Sequence, residues 1–406
     1  MIIIIDTSFP FEKGDIFLND EINELGYLDE EIMIIPLFAQ NTNVAFPLPN
    51  NVIINNCCMY NRSFGSRIMA GLRTIFDKDF WKDLAFIFCK KISIKRIAAS
   101  FYYSMITNEK YYLIFKSLQK KEIEPRVIYT YWMHIHACIG AKLKKKFCDS
   151  RFLTRCHGYD LYEFRSSINY LPGRRLIFEE ADHVLSVSHA GANYLYSHYQ
   201  FLNNEKVGVS YLGTYDYGLN IPDYDNFTIV SCSNLVPVKR VNIIVEALGK
   251  ILNENIHWIH YGDGELMNSI KSLAMNHLHE NISYEFRGFL QHDELMREYL
   301  EKPIDVIINV SESEGLPVSI MEAMSFGIPA IATNVGGTKE IVTDGYNGYL
   351  LDDHISAEEL ARFIIEYYKM DLNKRNEIRK NARLRWEEKF NAKRNYLDFQ
   401  NTYLAR

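Results

Sequence analysis

Short, continuous apolar runs alternate along this chain with longer stretches in which apolar residues recur every three or four positions. Such runs, bounded by turn residues, read as buried parallel strands, and the periodic stretches between them read as helices. In the first half the runs are residues 2–5, 32–35, 127–131, 152–155 and 184–187. In the second half they are 228–232, 256–261, 284–287, 306–310 and 330–332. Strand–helix alternation in both halves predicts two doubly wound α/β domains. Between them, residues 215–226 open with Tyr-Asp-Tyr-Gly-Leu-Asn-Ile-Pro-Asp, a polar and turn-rich stretch. The expected organisation is a first domain over 1–215, a second over 226–385 and a terminal helical stretch over 386–406.

A length of 406 residues suits two domains of about 200 residues each. No segment approaches the roughly 20 continuous apolar residues that span a bilayer. The apolar start, Met1 to Ile5, stops at Asp6 and lacks the basic lead of a signal peptide. The seven cysteines include no Cys-x-x-Cys pair and are odd in number. Structural zinc and a disulfide framework are therefore not expected, and a reducing cytoplasm is.

Charge changes the picture in one place. The chain carries a formal −6, yet between Arg62 and Lys120 twelve lysines and arginines face four acids. The same stretch is rich in aromatic residues, and Ile94, Ile97, Ala98, Phe101 and Met105 follow helical spacing. Two readings stand for this insertion at about 60–120. It is a surface for anionic membrane lipid, or its apolar stripe packs on the domain and its lysines are solvated. Nucleic acid is not an expected partner, because the overall balance is acidic and no recognition motif is present.

The chemistry concentrates in residues 311–343. Glu314 and Glu322 flank Gly315-Leu316-Pro317-Val318-Ser319, after an apolar run and before Gly327-Ile328-Pro329 and Gly336-Gly337. Proline favours a helix start, and a helix start offers unpaired N–H groups and a positive dipole end that suit a phosphate. Carboxylates beside a phosphate repel it unless they have another task, and binding sugar hydroxyls is one. The pattern points to a sugar–phosphate site at the carboxyl end of a strand, where open α/β sheets bind ligands. Without that neighbourhood, the two glutamates would read as a solvated helix face.

This segment resembles the signature of the retaining glycosyltransferases of GT-B family 4. The matching residues are Glu314, Glu322-Ala323-Met324, Gly327 with Pro329, and Gly336-Gly337 with Glu340. The resemblance implies a GT-B architecture: two Rossmann-like domains facing a cleft, with the last helix crossing back to the first domain. It also implies that Glu314 contacts the hydroxyls of the transferred sugar and Glu322 the ribose of its nucleotide. Many relatives carry a second glycine where Pro317 stands. Proline lacks an N–H, which leaves the phosphate to the amides of Val318 or Ser319.

Other residues extend the resemblance. The loop from Val230 to Val241 matches the family's diphosphate-binding loop at Lys239, but Asn234 occupies the arginine position, with Arg240 as a substitute cation. His157, in Cys-His-Gly-Tyr-Asp160, matches the histidine that approaches the donor sugar. Gly14 matches one of two glycines in the loop after the first strand. His134 and His136 stand two apart without a carboxylate or cysteine to complete a metal set, and read as structural. Asp77-Lys-Asp79 lies in the basic helical segment rather than after a strand, and reads as surface charge. Gly262-Asp-Gly264 lacks the third glycine of a dinucleotide fingerprint, which argues against an oxidoreductase.

The resemblance therefore implies a metal-independent enzyme that needs no cofactor. The cysteine usage adds a cytoplasmic location, and on the lipid reading of the 60–120 insertion the enzyme is peripheral on the membrane's inner face. Its partners would be a UDP- or GDP-linked sugar and a glycan or polyprenyl-linked acceptor in surface-polysaccharide assembly. Two alternatives remain at this stage: a sugar-nucleotide epimerase of the same architecture, and a carbohydrate-binding scaffold that has lost catalysis.

Overall fold

The computed structural model describes residues 1–12, 16–41, 43–59, 64–90, 92–199, 201–223 and 225–405. It divides into two compact units, one of Met1–Ser210 with Tyr396–Arg406, the other of Tyr211–Asn395.

The first unit is built on seven parallel strands: β1 (Ile2–Asp6), β2 (Ile32–Pro36), β3 (Val52–Ile54), β4 (Val127–Thr130), β5 (Arg151–Cys156), β6 (His183–Ser186) and β7 (Val207–Val209), in the order β3-β2-β1-β4-β5-β6-β7. Every residue of β1 and β2 is buried, as expected of strands covered on both faces. The second unit holds six: β8 (Phe227–Cys232), β9 (Ile256–Tyr261), β10 (Ile282–Gly288), β11 (Val306–Asn309), β12 (Ala330–Thr333) and β13 (Gly348–Leu351), in the order β10-β9-β8-β11-β12-β13. Each order reverses once, between β1 and β4 and between β8 and β11, and such reversal points are where doubly wound sheets bind ligands.

All ten predicted strands form. The three that were not predicted, β3, β7 and β13, are edge strands. They are short and only partly buried, so they lack the continuous apolar run that marks a central strand.

The chain ends differently from the expectation that 386–406 joins the first domain as one piece. Helix Leu372–Lys389 belongs to the second unit, where Trp386 is fully buried and its indole donates to Thr214 Oγ1 at 2.7 Å. Only Tyr396–Arg406 joins the first unit, through carbonyls of Tyr403 and Leu404 that accept from Arg151 and Arg126, each at 2.8 Å. Residues 211–214, expected at the end of the first domain, and residues 215–223, read as the linker, are part of the second unit.

The basic insertion consists of three helices, Phe64–Ile75, Lys78–Lys90 and Ile94–Lys120. The stripe proposed on the last of them is split. Ile97 and Phe101 pack against Phe80, Leu84, Ile87 and Tyr170, whereas Ile94 is 83% exposed. Asp77 and Asp79 are not loose surface charge: both pair with Lys142, at 2.8 and 3.4 Å, and Asp79 also pairs with Lys145. All seven cysteines are free.

Candidate functional site

In the second unit, loops after β8, β11 and β12 converge beside the strand-order reversal. The loop after β11 carries Glu314, and the loop after β8 carries Lys239. The Lys239 ammonium lies 2.7 Å from Glu314 Oε1, and the Asn309 amide donates to the same oxygen at 3.2 Å. Glu314 is buried while Lys239 keeps part of its surface open. A carboxylate and a cation predicted from motifs 75 residues apart thus meet as one ion pair.

Arg240 does not join them. It adopts a left-handed backbone (φ 49°) ahead of helix Val241–Leu248, and its guanidinium turns to the carbonyls of Val310 at 2.7 Å and Ser311 at 3.2 Å. With the Glu312 N–H donating to Val238 O at 2.8 Å, it ties the Lys239 loop to the Glu314 loop. The cation meant to replace the missing arginine therefore braces the site. Asn234 is exposed on the same loop, and its carbonyl accepts from the Val236 N–H.

Two glycines let these loops approach. A Cβ on Gly336 (φ +55°) would sit 2.0 Å from the Glu314 carbonyl oxygen, and the next residue's N–H donates to Gly315 O at 2.8 Å. The loop after β12 thereby fixes the backbone on which Glu314 stands. A Cβ on Gly262 would lie 2.0 Å from Ser233 O, so Gly262 serves close packing of the β9 loop on the β8 loop.

Helix Val318–Ser325 begins directly after Glu314-Gly-Leu-Pro, with Pro317 as its N-cap. The Pro317 carbonyl accepts from Ile320 and Met321, while Val318 and Ser319 are the first two helical residues, whose N–H groups have no carbonyl of a preceding turn. Pro317 occupies the cap rather than the first turn, so its missing N–H is not subtracted from that pair. Leu316 is buried and anchors the loop, and Gly315 is half-buried beside it. Glu322 is buried further along the helix, and its Oε1 lies 3.0 Å from His292 Nε2.

His292 and Asn309 are contributors that sequence reasoning missed. Asn309 had a signal, a polar residue ending an otherwise apolar strand (Val306-Ile-Ile-Asn) just before the glutamates. His292, the first residue of helix His292–Glu301, had none, because only the fold brings it to Glu322.

In the first unit, His157 follows β5. Its ring lies 4.8 Å from that of Tyr131 and 4.6 Å from that of Trp132. Burial, with a smaller effect of Arg155, pushes the imidazole down to about 3, so it is neutral near pH 7. Its backbone N–H donates to Asp160, whose other oxygen accepts from Met133 N, both at 2.6 Å. Asp160 therefore orders the loop. His134 and His136 take different partners, Tyr103 for the first and Thr7 Oγ1 at 3.2 Å for the second. Gly14 lies outside the described residues.

Comparison with known proteins bears on the second unit. Residues 220–385 match the family of glycosyl transferases group 1. An uncharacterised glycosyltransferase of Methanocaldococcus jannaschii is 30% identical, over 59% of this chain and 64% of that protein. A putative colanic acid biosynthesis glycosyltransferase, WcaL of Salmonella typhimurium, is 24% identical, over 59% of this chain and 61% of that protein. The chain thus spans less than two thirds of the length of either relative. Among solved structures, Anabaena HepE in complex with UDP superposes with a TM-score of 0.69 at 20% identity, covering 99% of both chains. At that identity the likeness shows the fold, which is GT-B.

Proposed function

We propose that this protein is a retaining glycosyltransferase of the family 4 type, moving a sugar from a UDP- or GDP-linked donor to a hydroxyl of a glycan or polyprenyl-linked acceptor. The observation that carries the reading is the Lys239–Glu314 pair, 2.7 Å apart at the reversal point of the second sheet and beside the start of helix Val318–Ser325. A lone carboxylate there would repel a diphosphate. Paired with Lys239 it is neutralised until a donor arrives, when the ammonium can turn to the diphosphate and free Glu314 for the sugar hydroxyls.

The proposed roles draw on this geometry and on the resemblance to family 4. Lys239 and the Val318 and Ser319 amides stabilise the charge that grows on the diphosphate as the glycosidic bond breaks. Glu322, oriented by His292, binds the ribose. His157 contributes a neutral imidazole toward sugar hydroxyls. Retention in this reading is a front-side attack through an oxocarbenium-like state: the breaking C–O bond gives its electron pair to the diphosphate, and the acceptor hydroxyl bonds the same face as its proton passes to a departing phosphate oxygen. These roles require neither metal nor cofactor. A place in surface-polysaccharide assembly is supported by the colanic acid relative.

Substitution Glu314→Gln tests the assignment, because it keeps the shape and removes the charge. Nucleotide release in the presence of acceptor should fall on the order of 100-fold while nucleotide affinity stays within about threefold. Unchanged turnover would remove Glu314 from the chemistry.

A further inference from the structure

Helix Phe64–Ile75 is turned inside out. Its small and polar positions face inward: Ala70 and Thr74 are buried, Asn108 donates to Thr74 Oγ1 at 3.2 Å, and the Ser66 hydroxyl donates to Glu109 at 3.3 Å. Its large apolar side chains point to solvent. Ile68, Leu72 and Ile75 recur at helical spacing and are 51%, 46% and 48% exposed, with Met69 beside them at 50%. Phe76, just past the helix end, is 83% exposed. Trp81, 54% exposed, donates its indole N–H to the Ile75 carbonyl at 2.7 Å and carries the apolar surface onto the next helix. An amphipathic helix in a globular domain ordinarily buries this stripe.

Charge says what the stripe is for. The helix contains Arg67 and Arg73 and no acid, and exposed Lys78 follows. Arg73 stacks 3.7 Å over the Tyr112 ring at the edge of the surface. The nearby acids are turned inward: Asp77 and Asp79 to Lys142, Asp79 to Lys145, and Asp83 to the hydroxyls of Ser100 and Tyr170. What faces solvent is apolar and positive.

We propose that helix Phe64–Ile75, with Phe76 and Trp81, is a docking surface for an anionic lipid bilayer. The helix lies in the interface plane, its apolar side chains enter the acyl boundary, and Arg67, Arg73 and Lys78 meet headgroup phosphates. Tryptophan and phenylalanine at the helix junction suit the headgroup level. A second copy of this chain fits less well, since a symmetric pairing would set the same arginines against each other. Among the described residues no helix is long and apolar enough to cross a membrane. The surface is independent of the sugar-transfer reading.

Vesicle flotation of the full chain tests it. Binding to phosphatidylglycerol-containing vesicles at low salt, with at least about tenfold weaker binding to pure phosphatidylcholine, is the expected result. The double substitution Leu72→Ser with Ile75→Ser should weaken binding at least about tenfold. Arg67→Glu with Lys78→Glu should do so through charge alone. Both variants should remain folded with a single cooperative melting transition, because the altered side chains lie on the solvent-facing side of the helix and its junction. Equal binding to both vesicle types, no binding to either, or undiminished binding by a folded double variant would overturn the proposal. So would a wild-type dimer in light scattering that either variant converts to monomer, which would assign the face to a second copy.

Discussion

Lys239 and Glu314 are 75 residues apart in the chain and 2.7 Å apart in space, and each explains why the other is tolerated. Glu314 is buried, and a buried carboxylate is costly without a partner. The partner is a flexible lysine rather than a fixed guanidinium, which suits a charge that must be handed to a ligand. Arg240 shows the contrast: its guanidinium is committed to two backbone carbonyls and cannot take the part of the arginine that Asn234 replaces. Buried histidines set the pH response at this scale. Burial holds His136 down to about 3, with a smaller effect of His134, and His260 down to about 4, both below the unfolded value of 6.5. Each must fold neutral, so its contribution to stability is full above about pH 6.5 and is lost as the pH falls toward those values. At about 1.4 kcal/mol per pH unit, urea titrations from pH 6.5 to pH 5 should show a loss of about 2 kcal/mol for each group. His260→Asn should flatten its share of that slope, and an unchanged slope would contradict its burial as a neutral ring. Of the residues in the site, those with fixed spacing to a turn or a helix start (Glu314, Pro317, Glu322, Lys239) were legible in the sequence. His292 was not, because its role depends on where helix His292–Glu301 lands and on nothing in its own neighbourhood.

Among the elements, every central strand was readable, while three of the four edge strands were not; β10, also at an edge, was read from its run at 284–287. Two-sided burial writes a continuous apolar run, whereas β3, β7 and β13 keep solvent-facing residues and leave no such mark. Helices were readable by period but not by facing. The stripe on Ile94–Lys120 partly packs inward and the stripe on Phe64–Ile75 points out, a difference decided by which neighbour is present. The loops after β8, β11 and β12 act as one element, and Gly336 is the joint between two of them. Gly336→Ala must displace the Glu314 carbonyl in addition to straining a positive φ, whereas Gly345→Ala, at φ +68° with open space around it, incurs only the strain. The first substitution should cost at least about 2 kcal/mol in denaturant stability and the second about 1 kcal/mol. Equal costs would mean that the β12 loop does not brace Glu314.

At the scale of the whole molecule, two parallel sheets each reverse strand order once, and the second places the paired charges and a helix start at its reversal. Domain number and sheet type could be read from the chain because they follow from strand–helix alternation. The point at which the chain returns to the first unit could not, because Trp386 and its Thr214 partner hold the long terminal helix in the second. In the proposed function the second unit binds a nucleotide-sugar through Lys239. Isothermal titration of UDP, GDP and their sugar conjugates into the wild type and a Lys239→Ala variant measures this binding. One conjugate should bind the wild type and lose on the order of 100-fold in affinity in the variant. No heat from any nucleotide, or equal affinity in both proteins, would remove Lys239 from donor binding.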